Sequence, residues 1–358
     1  MNTFGTLFRL TDFGESHGPA IGGVIDGMVP DFTVDMDFIR GALGRRRPGQ
    51  SRLTTQRREA DEVRFLSGIF EGRTTGTPIA FVIENSDQRS ADYSEVARAF
   101  RPCHADYTYR AKYGHRDYRG GGRASARETA VRVVGGALAQ QVLAAKGITI
   151  TAYTSAIGGV AMSGGVGDYS ADAIEANPVR CPDAAAAALM EQEIMAAKKA
   201  DDTLGGVISC TIKGLPAGVG EPIFGKLQAM LAAAMMSINA AKGFEYGDGF
   251  AAATMRGSES VDTFVSDSEG HVSTLTNHSG GIQGGISNGM PVTFRVAFKP
   301  IATMPRPLDT IDVDGKATVI EVGGRHDCCV VPRAVPVVEA MAAMTVLDAL
   351  MLSCATKL

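Results

Sequence analysis

Arginines cluster in two segments of a chain whose overall charge is slightly negative. Residues 45–58 read RRRPGQSRLTTQRR, with six arginines and no acidic residue, and residues 101–127 carry seven more basic side chains. Guanidinium groups bind carboxylates and phosphates through paired hydrogen bonds, so the two segments predict a pocket for a small polyanion. A solvated basic loop and a nucleic-acid-binding arm are the alternatives. The net charge of −4 and the lack of an aromatic residue in 45–58 disfavour the arm, and we expect no nucleic-acid partner.

A glycine-rich loop before a predicted helix forms a second candidate binding element. The run Arg119-Gly-Gly-Gly-Arg123 comes shortly before Ser125-Ala-Arg-Glu128, a pattern typical of a capping box at a helix start. Glycines permit close backbone approach, and a helix N-terminus offers free N–H groups and positive potential. The loop therefore predicts a site for an anion or a cofactor oxygen, with an ordinary glycine turn as the alternative. The sequence contains neither a Walker A motif nor the G-x-G-x-x-G dinucleotide fingerprint.

Two of the six histidines lie in or beside such segments and could transfer protons near neutral pH. His17 lies in the segment GESHG (14–18), and His104 lies in RPCHAD (101–106). The first segment also matches G-x-S-x-G, the nucleophile elbow of serine hydrolases, which needs a helix after the serine. Here the following residues, 20–26, are typical of a strand, so a hydrolase is disfavoured. Acid–base work is the preferred interpretation of both histidines, and a structural role is the alternative.

Cysteine usage and the apolar runs indicate the compartment in which the protein works. Six cysteines, at positions 103, 181, 210, 328, 329 and 354, are too few for a disulfide scaffold. No C-x-x-C or H-E-x-x-H pattern suggests a metal site. The N-terminal residues lack the pattern of a signal peptide, and the apolar runs are too short for a membrane span. We therefore expect a reduced, cytoplasmic protein with no bound metal and no membrane association.

The elements that must position these residues are short strands and alanine-rich helices. Strands are predicted over 4–10, 20–26, 77–84, 205–213, 291–298 and 316–322, and helices over 125–146, 183–200, 222–236 and 336–352. They do not alternate regularly, which favours an α+β fold. The segment GTPIAFVI (76–83) resembles GMPVTFRV (289–296), through coincidence or through a duplicated half-domain with pseudo-twofold symmetry. Because no low-complexity linker divides the chain, residues 1–358 are expected to form one domain.

Taken together, these segments resemble the chorismate synthase family along nearly the whole chain. The resemblance rests on blocks in the same order: FGESHG (13–18), RRRPGQSR (45–52), TTQRREADEV (54–63), RPCHADYTYRAKYGHRDYRGGGRASARETA (101–130), PAGVGEP (216–222), MSINAAKGFEYGDGF (236–250), NHSGGIQGGISNG (277–289) and GRHDCCVVPRAVPVVEAM (324–341). It implies 1,4-anti elimination of phosphate from 5-enolpyruvylshikimate-3-phosphate to give chorismate, with reduced FMN and no net redox change. It also implies a β-α-β sandwich, with antiparallel sheets around a helical layer, assembled as a homotetramer.

By motif, the resemblance also implies roles for individual residues. His17 protonates the leaving phosphate, His104 protonates the flavin, and Asp327 is the base near flavin N5. The implied flavin contacts are Arg123, Ala124, Ser125, Asn239, Ala240, Gly284, Lys299, Pro300, Ile301, Ala302, Thr303 and Arg325. The residues implied to contact anionic groups of the substrate, or the phosphate of NADPH, are Ser16, Arg46, Arg47 and Arg52. The alternative for Asp327 is a helix cap or an arginine partner.

The chain departs from the family pattern at Cys103, where glycine is usual, and at Cys328, where proline is usual. No reductase segment is recognisable, so we expect an external flavin reductase to supply reduced FMN, with NADPH as a candidate reductant. A flavin- or polyanion-binding protein that lacks the elimination is the main alternative from another functional class.

Overall fold

The computed structural model describes residues 1–51, 53–54, 59–85, 96–322 and 327–356. Its strands are β1 (Thr3–Phe4), β2 (Arg9–Phe13), β3 (Ala20–Asp26), β4 (Val63–Phe65), β5 (Ile69–Phe70), β6 (Arg73–Thr74), β7 (Ile79–Glu84), β8 (Thr149–Ile157), β9 (Val160–Ala161), β10 (Gly206–Lys213), β11 (Ala241–Tyr246), β12 (Phe264–Ser266), β13 (Val272–Thr274), β14 (Ile282–Gln283), β15 (Ile286–Ser287), β16 (Val292–Phe298), β17 (Leu308–Ile311) and β18 (Ala317–Ile320). Its helices are α1 (Met36–Arg46), α2 (Asp106–Tyr113), α3 (Thr129–Ala144), α4 (Ala171–Glu175), α5 (Ala184–Lys199), α6 (Leu227–Met236) and α7 (Val331–Ala355). Short 3₁₀ turns span Gly122–Ala124, Ala126–Glu128 and Gly249–Thr254.

Two five-stranded antiparallel sheets form the framework of the fold. The strand order is β1-β2-β3-β7-β4 in the first sheet and β11-β16-β10-β8-β9 in the second. Side chains alternate between the faces of a strand. In β7 the alternate residues Ile79, Phe81 and Ile83 are fully buried, and in β16 Val292 and Phe294 are buried in the same way. All five belong to one continuous hydrophobic core, which both sheets therefore share.

Helices α3 and α7 pack against each other and link the two sheets. Helix α3 contacts β2 and β3 of the first sheet, and α7 contacts β8 and β10 of the second. The helices approach so closely that a Cβ atom at Gly136 would lie 2.2 Å from Cβ of Ala340, so only glycine fits there. By length and apolar composition α7 could cross a membrane, but 83% of its most apolar window is buried inside the protein. Mixed helices and antiparallel sheets confirm the predicted α+β class.

Most predicted elements occur close to their predicted positions. Strand β3 has the predicted bounds, 20–26, and α5 lies within the predicted range 183–200. Helix α6 begins later than predicted, at Leu227, and α7 extends beyond the predicted 336–352 at both ends. The longer elements that the sequence analysis missed include α1, α2, β8 and β11, and it also missed α4 and most of the two- to four-residue strands.

The strand predicted over 4–10 is wrong in its bounds, because β2 begins only at Arg9. Asp348 of α7 explains the difference. Its carboxylate is buried and accepts hydrogen bonds of 2.9, 2.7 and 3.0 Å from the three backbone N–H groups of residues 6–8. These bonds hold the segment against α7, so the apolar residues that suggested a strand form a loop instead.

Candidate active site

Most of the predicted site residues line one cavity of about 620 Å³. The wall is built from the turn after β2, the glycine-rich loop, the segment after α6, the segment after β16 and the start of α7. The predicted residues that line it are Ser16, His17, Arg46, His104, Arg123, Ala124, Ser125, Asn239, Ala240, Lys299, Ile301, Ala302, Thr303 and Asp327. Segments far apart in the sequence thus bring both histidines and the predicted carboxylate to one chamber.

Three predicted residues within the described part of the chain are not part of this wall. Gly284 lies in the exposed turn between β14 and β15, where its φ of 62° suits a tight hairpin turn. Arg47 is exposed just after α1, and Pro300 is exposed between two residues that do line the cavity. The structure therefore does not bring these three to the cavity. Two further predicted residues, Arg52 and Arg325, lie outside the described residues.

The turn between β2 and β3 carries Ser16 and His17, which are both buried. Oγ of Ser16 lies 3.1 Å from Nδ1 of His17. Gly120 of the glycine-rich loop lies against this ring, because a Cβ atom added to it would be 2.3 Å from Nδ1. The turn leads into a strand rather than a helix, so it does not form a nucleophile elbow. The glycine loop and the histidine turn are thus fitted closely to each other.

His104 is held by a buried ion-pair network just before α2. Its Nδ1 lies 3.0 Å from Oδ1 of Asp106 and 3.1 Å from Nη2 of Arg101. Oδ1 and Oδ2 of Asp106 each accept one hydrogen bond of 2.8 Å from Arg101. Burial raises the pKa of Asp106, but hydrogen bonds from Arg101 and His104, together with their charges, hold this pKa well below its ordinary value. Asp106 is therefore ionised at neutral pH and fixes the ring of His104 at the cavity wall.

The glycine-rich loop leads into α3 through two 3₁₀ turns. Oγ of Ser125 accepts a hydrogen bond of 3.2 Å from the backbone N–H of Arg127, which confirms the predicted cap. The cap begins a 3₁₀ turn, however, and α3 itself starts only at Thr129. The carboxylate of Glu128 pairs with Nε of Arg132 at 2.9 Å instead of completing the capping box. Ser125 is thus a cap, as predicted, but the α-helix begins four residues later than predicted, at Thr129.

Asn239 and Lys299 connect different parts of the cavity wall. Nδ2 of Asn239 donates a hydrogen bond of 2.7 Å to the carbonyl oxygen of Ala124, which joins the segment after α6 to the glycine-rich loop. Nζ of Lys299 lies 3.4 Å from the carbonyl oxygen of Cys103. Cys103 has a φ of 57°, in the left-handed region that favours glycine. A glycine, which the family resemblance implies at this position, adopts this conformation without strain.

Arg46 lies in the cavity wall with its guanidinium group engaged by protein atoms. It donates to Oγ1 of Thr129 at 3.0 Å, to Asp61 at 2.8 Å and to the carbonyl oxygen of Ala126. Burial above all, with repulsion by two neighbouring arginines, lowers the pKa of Arg46 to about 10, while Asp61 raises it. Arg46 remains charged at neutral pH, and Asp61 supplies the countercharge. These contacts show that Arg46 helps to hold the cavity wall together, whereas its contact with the substrate remains a prediction.

Asp327 lies in the segment that leads into α7 and pairs with Arg333 in the first turn of that helix. The N-cap of α7 is Val330, so the alternative in which Asp327 caps the helix is wrong. The alternative of an arginine partner is observed, but it does not remove Asp327 from the site. Both members of the pair line the cavity and form part of its wall.

The wall of the cavity is strongly cationic. Among the described residues, three carboxylates and seven cations line it, the cations being Arg46, Arg101, Arg123, Arg127, Arg132, Lys299 and Arg333. Sequence reasoning missed Arg132 and Arg333, because both lie on helices outside the two arginine-rich segments. A signal for Arg132 was its spacing of four residues from Glu128, which places the two on one helix face. The excess of positive charge suits a ligand with several negative groups.

The fold is α+β, and its cationic cavity holds two histidines and a paired carboxylate. These features are typical of an enzyme that acts on a small anionic molecule. Comparison with known proteins gives a more specific assignment. The profile of the family described as chorismate synthase matches residues 8–351. The chorismate synthase of Bacteroides fragilis (strain YCH46) is 57% identical over 357 residues, which are 100% of this chain and 99% of that protein. The chorismate synthase of Porphyromonas gingivalis is 58% identical over 354 residues, covering 99% of this chain and 96% of that protein.

A solved structure gives the same result in three dimensions. A crystal structure of a chorismate synthase has a TM-score of 0.74 and 30% sequence identity, and the match covers 97% of this chain and 92% of that one. The chain belongs to the chorismate synthase family, which confirms the resemblance found in its sequence. It is therefore a lyase of the shikimate pathway.

Proposed function

We propose that this chain eliminates phosphate from 5-enolpyruvylshikimate-3-phosphate in a 1,4-anti sense, giving chorismate, with reduced FMN and no net redox change. The observation that carries the proposal is the single cavity in which His17, His104 and Asp327 lie among seven cationic side chains. The substrate has two carboxylates and a phosphate, and guanidinium groups bind both kinds of anion. Membership of the family supports the same reaction.

Reduced FMN fits the residues of this cavity. Ligand and cofactor pockets span about 300–1,000 Å³, and the cavity of about 620 Å³ falls in that range. The residues that would hold the flavin, through cationic groups and backbone N–H groups, are Arg123, Ala124, Ser125, Asn239, Ala240, Lys299, Ile301, Ala302 and Thr303. When bound, reduced flavin supplies electron density as the phosphate departs, and it provides a place for the hydrogen that the substrate ring loses.

The histidines of the chain move the protons in this proposal. His17 donates a proton to the departing phosphate oxygen, with its Nδ1 held near Oγ of Ser16. Nδ1 of His104 is engaged by the protein, because it lies 3.0 Å from Oδ1 of Asp106 and 3.1 Å from Nη2 of Arg101. Nε2 of His104 is then the atom that exchanges a proton with the ligand.

Asp327 acts as the base near the flavin ring. An unactivated ring hydrogen cannot be removed by an ordinary side-chain base unaided, so the carboxylate works on the cofactor rather than directly on the substrate. Arg333 holds the carboxylate of Asp327 in the cavity wall by an ion pair. This ion pair would orient the base in the site.

An assay of phosphate release tests the proposal. The enzyme is mixed anaerobically with reduced FMN and 5-enolpyruvylshikimate-3-phosphate, and inorganic phosphate is measured. Phosphate should appear only when reduced FMN is present. Binding of the flavin and the substrate without any release of phosphate would instead identify a flavin- or polyanion-binding protein and overturn the proposal.

We also propose that the fold is a single β-α-β sandwich with internal pseudo-twofold symmetry. The strand orders support this, because each sheet has five antiparallel strands. The two similar segments, 76–83 and 289–296, contribute β7 and β16, and each of these strands is second from an edge of its sheet. The shared core supports one domain over 1–358 rather than two.

The assembly and the source of electrons are proposed on separate grounds. Exposed aromatic side chains, such as Phe224 at 96% and Phe250 at 82% exposure, support assembly into a homotetramer. The molecular mass measured by light scattering tests this assembly.

The sequence lacks a dinucleotide fingerprint, which supports an external flavin reductase that uses a reductant such as NADPH. We also propose a cytoplasmic location, which the six free cysteines support, because disulfides are typical of oxidising compartments.

A further inference from the structure

Asn85 is buried at the end of β7, next to the turn between β2 and β3 that carries His17, called here the His17 turn. Strand β7 pairs with β3, and the register places Glu84 opposite Ala20. Asn85 therefore lies beside the residues just before β3, and its backbone N–H donates a hydrogen bond of 3.1 Å to the carbonyl oxygen of Pro19. The register of the first sheet thus brings Asn85 to the His17 turn.

The side-chain amide of Asn85 holds this turn in place. Its Nδ2 donates hydrogen bonds of 3.0 and 2.8 Å to the carbonyl oxygens of Glu15 and Gly18, which lie on either side of Ser16 and His17. A backbone hydrogen bond of 3.1 Å from the N–H of Gly18 to the carbonyl oxygen of Glu15 closes the same turn. Both ends of the turn are therefore tied to one planar amide group.

The oxygen of the same amide group contacts the cavity wall. Oδ1 of Asn85 accepts a hydrogen bond of 2.7 Å from Nε of Arg127, a residue that lines the cavity. Arg127 also pairs with Oδ1 of Asp61, whose other carboxylate oxygen accepts a hydrogen bond of 2.8 Å from Arg46. Asn85 thus connects the His17 turn to a buried network of arginines in the wall.

The partners of Asn85 require a carboxamide. The amide nitrogen faces two acceptors and the amide oxygen faces a donor, so the hydrogen bonds determine the orientation of the group. An aspartate could accept from Arg127 but could not donate to the two carbonyl oxygens when ionised. A glutamine carries one more methylene group, which a buried position accommodates poorly. Asparagine therefore matches both sets of partners.

We propose that Asn85 is a positioning residue for the reaction, which fixes His17 in the orientation from which it donates its proton. The inference rests on the proposed function, in which His17 protonates the departing phosphate. Asn85 is not among the described residues that line the cavity, so it acts through the turn rather than by contact with the ligand. Support of this kind matters because a displacement of about 1 Å can slow a reaction by about 10².

The first test compares Asn85→Asp in two backgrounds, the wild type and His17→Ala. In the wild type the replacement should lower kcat for phosphate release by about 10². KM should change little, because an aspartate still accepts the hydrogen bond from Arg127. In His17→Ala the residual turnover no longer depends on the position of the imidazole, so the same replacement should have little further effect. An equal loss in both backgrounds, or no loss in the wild type, would overturn the inference.

Two further variants separate the loss of the amide donors from other effects. Asn85→Ala removes the amide without adding a charge and should lower kcat in the same pattern, so a loss confined to Asn85→Asp would contradict the inference. Asn177→Asp is the matched control, because Nδ2 of Asn177 donates a hydrogen bond of 2.7 Å to the carbonyl oxygen of Cys181 between α4 and α5. This control should be less stable in urea but keep the kcat of the wild type.

The second test follows the turn itself and needs no substrate. Hydrogen exchange measured by mass spectrometry should be faster in peptides that cover 14–18 in Asn85→Asp and Asn85→Ala, and unchanged there in Asn177→Asp. Unchanged exchange of this turn in both Asn85 variants would overturn the inference. A wild type that forms no chorismate contradicts the proposed function and leaves the exchange result to decide whether Asn85 fixes the turn.

Discussion

The carboxylate of Asp106 lies 3.0 Å from Nδ1 of His104 and binds Arg101 through both of its oxygens. A proposed proton donor is thus oriented by a group that is buried, ionised and itself held in place. The order of these residues in the chain, Arg101, His104 and Asp106, places all three at the start of α2. The histidine and its support therefore come from one short segment.

Replacement of Asp106 by Asn should lower turnover by up to about 10², because His104 loses the ionised acceptor that orients its ring. The pKa of Asp106 is lower in the folded protein than its ordinary value, so its ionised form stabilises the fold at neutral pH. This contribution is lost as the pH falls below about 4. Urea unfolding should therefore show Asp106→Asn to be less stable than the wild type at neutral pH, with a difference that shrinks in acid. Asp37→Asn, in an exposed ion pair, is the matched control and should change neither property.

Replacement of His17 or His104 by Ala should slow turnover by roughly 10²–10⁴, the usual range for a lost general acid. Flavin and substrate should still bind, since cationic and backbone groups dominate their affinity. Steady-state kinetics across the neutral pH range measures the first effect, and flavin fluorescence measures the second. Full activity in either variant would remove that histidine from the proton transfers.

Replacement of Asp327 by Asn should lower turnover by about two orders of magnitude or more if Asp327 is the base. A loss of turnover could also arise because Asp327→Asn breaks the observed ion pair with Arg333. The variant Arg333→Gln breaks the same pair and keeps the carboxylate, so it distinguishes a base from a purely structural residue. A purely structural role predicts similar losses of stability in both variants and near-normal turnover of the folded protein. The base predicts that turnover of Asp327→Asn falls well below that of Arg333→Gln at equal stability.

Arg46 and Lys299 should respond differently to replacement by Ala, although both line the cavity. Arg46 is buried in an ion pair with Asp61, so Arg46→Ala should destabilise the fold by about 3–5 kcal/mol. Lys299 is only partly buried, and Lys299→Ala should weaken binding of anionic ligands by about 1.5–3 kcal/mol with little effect on unfolding. Thermal unfolding and a ligand titration of each variant provide the four values. Equal stability of the two variants would show that the Arg46–Asp61 pair contributes little to the fold.

The fold was predictable where apolar residues recur with a clear period. The strand over 20–26 and the helix over 183–200 are of this kind. Helix α1 was missed because it adjoins the arginine-rich segment and buries only Ile39 and Leu43 among its apolar residues. A local signal was present nonetheless, since Asp35 caps the helix through hydrogen bonds to two backbone N–H groups.

The sequence motifs predicted which residues form the site, but not which acidic side chains pair with which arginines across long sequence distances. His17, His104 and the glycine-rich loop were identified from local sequence, and they line one cavity. The partner of His104, Asp106, lies in the same short segment, but the partner of Arg123 does not. Asp12 and Arg123 are 111 residues apart, and Asp348 and the loop that it holds, 6–8, are about 340 apart. No local pattern specifies such contacts, because tertiary packing decides which acidic group reaches which arginine.

The measurement that tests the central claim most directly is the ratio of chorismate formed to flavin oxidised. The enzyme is supplied anaerobically with a limiting amount of reduced FMN and an excess of 5-enolpyruvylshikimate-3-phosphate. Chorismate and phosphate should form in equal amounts over many turnovers, while the absorbance of the flavin shows that it is still reduced at the end. Oxidation of one flavin for each chorismate formed, or the absence of chorismate, would contradict an elimination that needs reduced flavin without consuming it.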